Sequence, residues 1–210
     1  MSKNSPKALD VSYDIIIIID CLPEDEYIKY EISQDLKSFF NIEKFPNKIF
    51  RCKSKKELIS SLVSCVQYVH SKNKNIIIHF ISHGNKSGIG IKSTKELIEW
   101  DEFRQLLRNI NTKMNGNLVI NITSCFGLNA IKINNEADET PAFFGLIGYS
   151  KRLKASKGKE INRLFYGKML EGKQVNVSVE EVKLETSDGN LYCMSSRGYK
   201  KIKKIAKKKQ

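Results

Sequence analysis

Two short stretches of the sequence each end in a side chain that could take part in nucleophilic catalysis. Residues 76–84, IIIHFISHG, end in His83 followed by a glycine, and residues 118–127, LVINITSCFG, turn at Cys125 shortly before a glycine. Both stretches begin as apolar runs of strand length, which predicts two buried strands with a reactive residue at the end of each. If these strands are parallel neighbours, His83 and Cys125 meet.

The pair has a definite chemistry. A cysteine becomes a nucleophile when a neighbouring imidazole takes its proton, and the same imidazole can then protonate a leaving amine. Gly84 lets the backbone approach a substrate carbonyl, so its N–H and that of Cys125 are the predicted oxyanion donors. Taken singly, Cys125 could be a small buried hydrophobe and His83 a turn residue. Their shared position at strand ends beside glycines favours a catalytic dyad.

Strand and helix patterns alternate along the chain and predict the scaffold for these residues. Strands are predicted at residues 13–20, 48–52, 75–82, 118–124, 142–149 and 191–194, and helices at 26–41, after the Ser54 capping box, at 101–110 and at 160–170. Residues 175–184 fit either a helix or a strand. The fold class is therefore α/β, a three-layer sandwich whose mostly parallel central sheet carries helices on both faces. The crevice of such a sheet lies beyond the carboxyl ends of its strands.

Composition limits the function classes. The 210 residues are 40% hydrophobic and 28% charged, which suits one globular domain, predicted over residues 1–196, and leaves no apolar run long enough for a membrane span. The five cysteines have no paired spacing and no export signal precedes them, so we expect reduced thiols and a cytoplasmic location. No metal-ligand spacing is present, and no metal or cofactor is predicted. Among the other cysteines, only Cys21, after the first strand, rivals Cys125 as a nucleophile.

The net charge of +13 is concentrated at the carboxyl end. Residues 197–210 carry eight lysine or arginine residues and no acid, and we expect them to form a flexible basic tail. Such a tail can bind nucleic acid or an acidic surface, although a solvated terminus is the commoner case and is favoured here. No aromatic platform for bases accompanies it.

The motifs HFISHG and TSCFG resemble those of the caspase-like cysteine peptidases, the group of caspases, metacaspases, gingipains and CHAT proteases. The histidine of a caspase lies about 50 residues before the cysteine, and here it lies slightly closer. The later segments FFGLIGYS and INRLFYGKMLEGKQV are most similar to the CHAT branch. The resemblance extends over nearly all of residues 13–194.

This resemblance implies a cysteine endopeptidase with His83 and Cys125 as the dyad and with Gly84 and the Cys125 amide as oxyanion donors. The caspase QACRG motif is absent, so nothing supports cleavage after aspartate. Thr123 stands where metacaspases usually have an acid, and it is predicted to line the substrate pocket without charging it. Asp20, with the acids at 24–26, could restore an acidic pocket at the end of the first strand. A solvated first helical turn is the commoner interpretation of the acids at 24–26. Apolar and basic residues both stay open before the cut bond, with a weak lean towards Lys or Arg.

The family also implies regulation and a setting. An activating protein or an upstream protease is expected, acting on polar segments 129–141 and 150–159, which show no periodicity and are predicted to be mobile loops. The analogy points to a microbial defence or cell-death pathway with protein substrates. The competing hypothesis is a basic scaffold that keeps this fold and binds nucleic acid or acidic protein through residues 197–210.

Overall fold

The computed structural model describes residues 11–134 and 139–207. The strands, in chain order, are β1 Ile15–Asp20, β2 Asn47–Arg51, β3 Ile76–Ile81, β4 His83–Gly84, β5 Gly88–Ile91, β6 Glu96–Glu99, β7 Val119–Thr123, β8 Gly145–Tyr149 and β9 Leu191–Ser195. The helices are α1 Glu24–Tyr30, α2 Ile32–Ile42, α3 Lys55–Lys72, α4 Trp100–Lys113, a 3-10 helix at Gly127–Ile133, α5 Ala155–Leu170, α6 Val175–Thr186 and α7 Ser196–Lys207.

A six-stranded sheet in the order β2-β1-β3-β7-β8-β9 forms the centre of the domain. The strands run parallel except β9, which pairs antiparallel with β8. The middle strands β1, β3 and β7 are buried along their whole length, as continuous Ile and Val runs covered on both faces should be. The predicted α/β class and mostly parallel sheet are confirmed.

Helices cover both faces of this sheet and bury alternate residues of each strand. On one face, Ile17 and Ile19 of β1 join the apolar cluster formed with α3, α4 and the 3-10 helix. On the other face, Ile16 and Ile18 pack in the cluster of α2, α5 and α6. This alternation follows from the two-residue period of a strand, and it produces the predicted three layers.

Beyond the end of β3 the chain leaves the central sheet and forms a small antiparallel sheet, β4-β5-β6. The strand predicted from the sequence ends at residue 82, whereas the structure has His83 itself in a further strand, opposite Gly90. The following helix also begins earlier than expected, with Glu99 as its N-cap in a capping box with Glu102. Because β4 pairs with β5, the imidazole of His83 is carried by a paired strand and not by a loop.

Three other expectations are corrected, and one open question is resolved. The helix predicted at 26–41 is broken at Glu31, whose φ of 49° ends α1 and starts α2. The loop predicted at 129–141 is a 3-10 helix as far as Ile133, because Ala130 and Ile131 are buried in the core; residues 135–138 lie outside the described part. The loop at 150–159 ends at Lys154, where α5 begins. The open segment at 175–184 is helical, as α6.

The carboxyl-terminal segment is helical where a flexible tail was predicted. α7 extends from Ser196 to Lys207, and its first turn is fixed to the domain because the Gly198 N–H donates to Ser195 Oγ at 3.0 Å. The Tyr199 ring packs against the core. The structure thus gives residues 197–207 of the predicted tail a helical backbone. In the part of the chain that is described, no helix combines the length and the apolarity that crossing a membrane requires.

Candidate active site

The two strands that deliver His83 and Cys125 are parallel neighbours. β3 and β7 pair with Ile81 opposite Thr123, and the Ser82 N–H donates to the Thr123 carbonyl at 3.2 Å just beyond the pairing. Both chains then reach the same edge of the sheet, at the carboxyl ends of its strands. There, His83 and Cys125 line one cavity of about 410 Å³. Both residues therefore line the same site at this edge of the sheet.

Gly84 holds these two strand ends close together. A Cβ on residue 84 would lie 2.7 Å from Ser124 Oγ and 2.9 Å from the Cys125 carbonyl oxygen, distances that real Cβ atoms essentially never show. Only a glycine lets the backbone after His83 approach the backbone at Cys125 so closely. The residue predicted as an oxyanion donor is therefore beside the nucleophile.

Cys125 stands on a sharp turn between β7 and the 3-10 helix. Phe126 adopts a left-handed conformation with φ of 60°, and a Cβ on Gly127 would lie 2.8 Å from the Ile122 carbonyl oxygen. The reversal thus depends on one strained residue and one glycine, a combination common at functional sites. Within the described residues, the Cys125 backbone N–H donates to no acceptor, which leaves it available to an oxyanion.

The thiol contacts the backbone of the segment before α5. The Leu153 N–H donates to Cys125 Sγ at 3.4 Å, and Sγ lies 3.8 Å from the Leu153 carbonyl oxygen. Lys154, Ala155 and Ser156, where α5 begins, line the same cavity. A helix amino terminus and an N–H donor both stabilise negative charge. Sequence reasoning missed Leu153, because a backbone contact leaves no signature in residue type.

The imidazole of His83 is held by a carboxylate. Its Nε2 atom lies 2.8 Å from Glu26 Oε2, and the other oxygen of Glu26 lies 2.7 Å from Lys92 Nζ. The Glu26 side chain is only 13% exposed, so its charge is poorly screened by water. Glu26 belongs to the acids at 24–26 that the sequence assigned to a pocket or to a solvated helix turn. The structure places it in the cavity and against the histidine.

Thr123 lines the cavity, but its hydroxyl faces the interior. Thr123 Oγ1 lies 2.8 Å from His79 Nε2 and accepts a hydrogen bond from Asn162 Nδ2 at 2.8 Å. Asn121 and Tyr166 extend this buried network under α5. Burial lowers the pKa of His79 to about 3, so the ring is neutral. His79 is thus a fully buried core histidine, with Nδ1 lacking a partner among the described residues.

Asp20 does not line the cavity among the described residues. Its fully buried carboxylate is bonded by Arg51 Nη1 at 2.7 Å, by the Ser33 hydroxyl at 2.5 Å and by the Leu22 N–H at 2.9 Å. Burial raises the pKa of Asp20, and these hydrogen bonds offset part of that rise. The carboxylate predicted to bind substrate instead joins β1, β2 and α2 through these bonds.

Among the described residues, no cysteine other than Cys125 lines the cavity, and three of the other four have a thiol whose pKa is raised. Cys21 is fully buried, and its hydrogen bond with Cys52, together with burial, raises the pKa of its thiol. Burial raises the pKa of Cys65 and of Cys193 to about 12. All five cysteines are free thiols. In residues 11–134 and 139–207, no cluster of three metal-ligating side chains occurs.

Comparison with known proteins gives no family by which to assign this site. Neither the protein-family models nor the curated proteins include a match to this chain. The geometry itself defines what the site can do: a thiol and a carboxylate-held imidazole line one cavity, with an unshared backbone N–H at the thiol. These are the parts that acyl transfer through a cysteine needs.

Proposed function

We propose that the chain is a cysteine endopeptidase of the caspase-like type, with His83 and Cys125 as its catalytic dyad. The observation that carries the proposal is that both side chains line one cavity at the carboxyl edge of neighbouring parallel strands, with Glu26 bonded to the histidine. The motifs HFISHG and TSCFG support the same class. The substrates are proteins, and the reaction is hydrolysis of a peptide bond.

The first half of the reaction acylates the cysteine. Because the Glu26 carboxylate accepts the Nε2 proton of His83, the neutral imidazole has its lone pair on Nδ1, which takes the thiol proton. The sulfur of Cys125 then attacks the carbonyl carbon, and the oxyanion is bound by the Cys125 N–H and by Gly84. When the C–N bond breaks, Nδ1 returns its proton to the leaving amine, and a thioester remains.

The second half regenerates the enzyme. A water molecule gives one proton to His83 Nδ1 while its oxygen attacks the thioester carbonyl. The C–S bond breaks, the acid product leaves, and the proton returns to the sulfur of Cys125. In both halves the anionic Glu26 stabilises the imidazolium, since its carboxylate is 2.8 Å from the ring and only 13% exposed.

We further propose that this peptidase acts in the cytoplasm, in a microbial defence or cell-death pathway, and is switched on by a partner protein or by cleavage. The free thiols suit a reducing compartment. The backbone bond from Leu153 to the Cys125 sulfur gives regulation a physical route. Any event that moves residues 150–154 also moves a group in contact with the nucleophile.

The test is a peptide-library cleavage assay over several Ca²⁺ concentrations. Wild type is assayed intact and after cutting at a protease site inserted within residues 135–138, next to Cys125→Ala and His83→Ala. Cys193→Ala is the matched control, because it removes a thiol whose pKa is raised to about 12. We expect cleavage by wild type and the control only. Wild type that is inert in both forms would exclude activation by cleavage, and Cys125→Ala that cleaves as well as wild type would overturn the proposed dyad.

One observation favours a second function, a basic binding module. α7 is rich in lysine, and its apolar residues Ile202 and Ile205 are 56% and 48% exposed. A helix of this kind can bind nucleic acid or an acidic protein surface. Under this alternative the fold is a scaffold, and the cavity has no turnover.

A further inference from the structure

The cavity beside the dyad also limits which substrate side chain it can hold, an inference that rests on the proposed peptidase function. Leu22, Ile32 and Ile81 are among its lining residues, and they are 6%, 3% and 0% exposed. Leu153 and Ala155 add further apolar side chains to the lining. A side chain that enters is therefore removed from water against aliphatic groups, which favours an apolar side chain.

The carboxylates at this edge of the sheet are already engaged. Glu26 is the acid among the described residues that line the cavity, and its two oxygens are bound by Lys92 and His83. A substrate lysine or arginine would have to displace Lys92 or take the carboxylate from the catalytic imidazole. Asp20, which the sequence offered as a second acid, is neutralised by Arg51. The basic preference suggested by the sequence thus loses its electrostatic support.

The remaining polar groups that line the cavity provide few hydrogen bonds to a charged substrate side chain. The Thr123 hydroxyl is already bonded to His79 and Asn162. The hydroxyl oxygens of Ser82 and Ser124 line the wall without a partner among the described residues, but they are themselves covered. At the mouth, the exposed Lys154 adds a positive charge that repels a basic side chain.

From these contacts we propose that the residue on the acyl side of the cut bond is apolar, of the Leu, Met or Phe class, and not Lys or Arg. A volume of about 410 Å³ accommodates such a side chain. Specificity arises because Glu26 holds His83, so the same carboxylate cannot also bind a substrate cation. The site then selects by shape and desolvation and not by charge.

The experiment uses peptides identical except at that residue: Leu, Met or Phe in one set, Lys or Arg in the second, Asp or Glu in the third. We expect kcat/KM for the apolar set to exceed that of the basic set by about tenfold or more. In Lys154→Glu, cleavage after Lys or Arg should rise relative to wild type. The matched control is Lys157→Glu on the same helix, whose ion pair is with Glu160 and not with the cavity.

A binding measurement separates this inference from the peptidase proposal. Calorimetry on Cys125→Ala with peptides that end in Leu, Lys or Asp needs no turnover, and Leu-ending peptides should bind tightest. A preference for Lys-ending peptides, in binding or in cleavage, would overturn the apolar assignment but would not contradict the peptidase proposal. Tight binding of Leu-ending peptides without cleavage by wild type would instead support the apolar assignment of the cavity and contradict the peptidase proposal. Equal binding of all three classes would also overturn the assignment.

Discussion

The Nε2 atom of His83 lies 2.8 Å from Oε2 of Glu26, across a gap of 57 residues in the chain. The contact joins α1, which follows the first strand, to β4 of the small antiparallel sheet. It holds the ring in one orientation and, in the proposed mechanism, leaves Nδ1 to act as the base. Glu26 is therefore a positioning residue, and its removal should affect chemistry more than substrate binding.

Replacement of Glu26 tests this role. Glu26→Gln keeps the shape but removes the charge that stabilises the imidazolium, so kcat should fall by about a hundredfold, in the lower part of the range for acid–base groups. KM should change little. The rate of Cys125 alkylation by iodoacetamide should fall as well. It is followed by intact mass over about pH 5 to 9, around neutrality.

The matched control is Glu24→Gln on the same helix. Glu24 contacts Lys53 and Arg51, and its side chain is 57% exposed, away from the histidine. Its kcat and alkylation rate should remain those of wild type. Equal losses in the two variants would show that the acids of α1 act through the stability of the helix and not through His83.

Gly84 gives a second prediction, which concerns geometry. The Cβ of Gly84→Ala would be 2.7 Å from Ser124 Oγ, so the strand end after His83 must move away from Cys125. Such overpacking costs about 1–3 kcal/mol of stability. We expect turnover to fall by more than about tenfold, as small misplacements of reacting groups do.

A neighbouring glycine supplies the control for this substitution. A Cβ on Gly90, in β5 opposite His83, would lie 3.6 Å from the His83 Cβ, an ordinary contact. Gly90→Ala should therefore keep both stability and turnover. If Gly84→Ala is as active as Gly90→Ala, the close approach of the two strand ends is not needed for catalysis.

The buried His79 predicts how stability depends on pH. Its folded pKa is about 3, whereas an unfolded histidine titrates near the model value of 6.5. Because the folded pKa is depressed, the contribution is fully present above the unfolded pKa and is lost as pH falls towards the folded one. Between pH 7 and pH 5 the loss is about 2 kcal/mol, at about 1.4 kcal/mol per unit below the unfolded pKa.

Urea unfolding at the two pH values measures this loss. In His79→Gln no proton is taken up at this position, so the difference between pH 7 and pH 5 should shrink by about the same 2 kcal/mol. Other groups that titrate, including Asp20 with its raised pKa, are common to both proteins and cancel in the comparison. Identical differences in wild type and variant would contradict a neutral, buried His79.

The parts of the site that the sequence predicted are those set by strand periodicity. Long Ile and Val runs indicate buried parallel strands, and the residue after such a run must lie at the carboxyl edge of the sheet. Once β3 and β7 are known to be neighbours, that argument brings His83, Gly84 and Cys125 to one site. It needs no knowledge of how the loops fold.

The parts that it missed depend on contacts between distant segments. Glu26 contacts His83 from α1, a helix that ends at Glu31, where a non-glycine residue adopts a left-handed conformation. The Asp20 carboxylate is not available to a substrate, because Arg51, at the end of the neighbouring β2, binds it at 2.7 Å. Neither the helix break nor the partner of a carboxylate follows from local propensity, since tertiary contacts decide both.

The last prediction concerns α7 and decides between the two candidate functions. The chain should be cut after Tyr199, because this residue packs on the core and the basic part of the helix follows it. A peptidase loses only an exposed element, so the truncated chain should keep its turnover within about twofold, as surface changes usually do. Binding to a labelled single-stranded oligonucleotide, or to an acidic peptide, should weaken if α7 is the binding element.

The matched control is the double variant Lys203→Gln with Lys204→Gln, which removes two positive charges but keeps the helix and its exposed Ile202. Both proteins are compared with wild type in the cleavage assay and by fluorescence anisotropy at low and high salt. A loss of turnover in the truncated chain, at an unchanged melting temperature, would contradict a dispensable α7. Salt-sensitive binding that disappears in both proteins, with no cleavage by wild type, would establish the basic binding module in place of the peptidase.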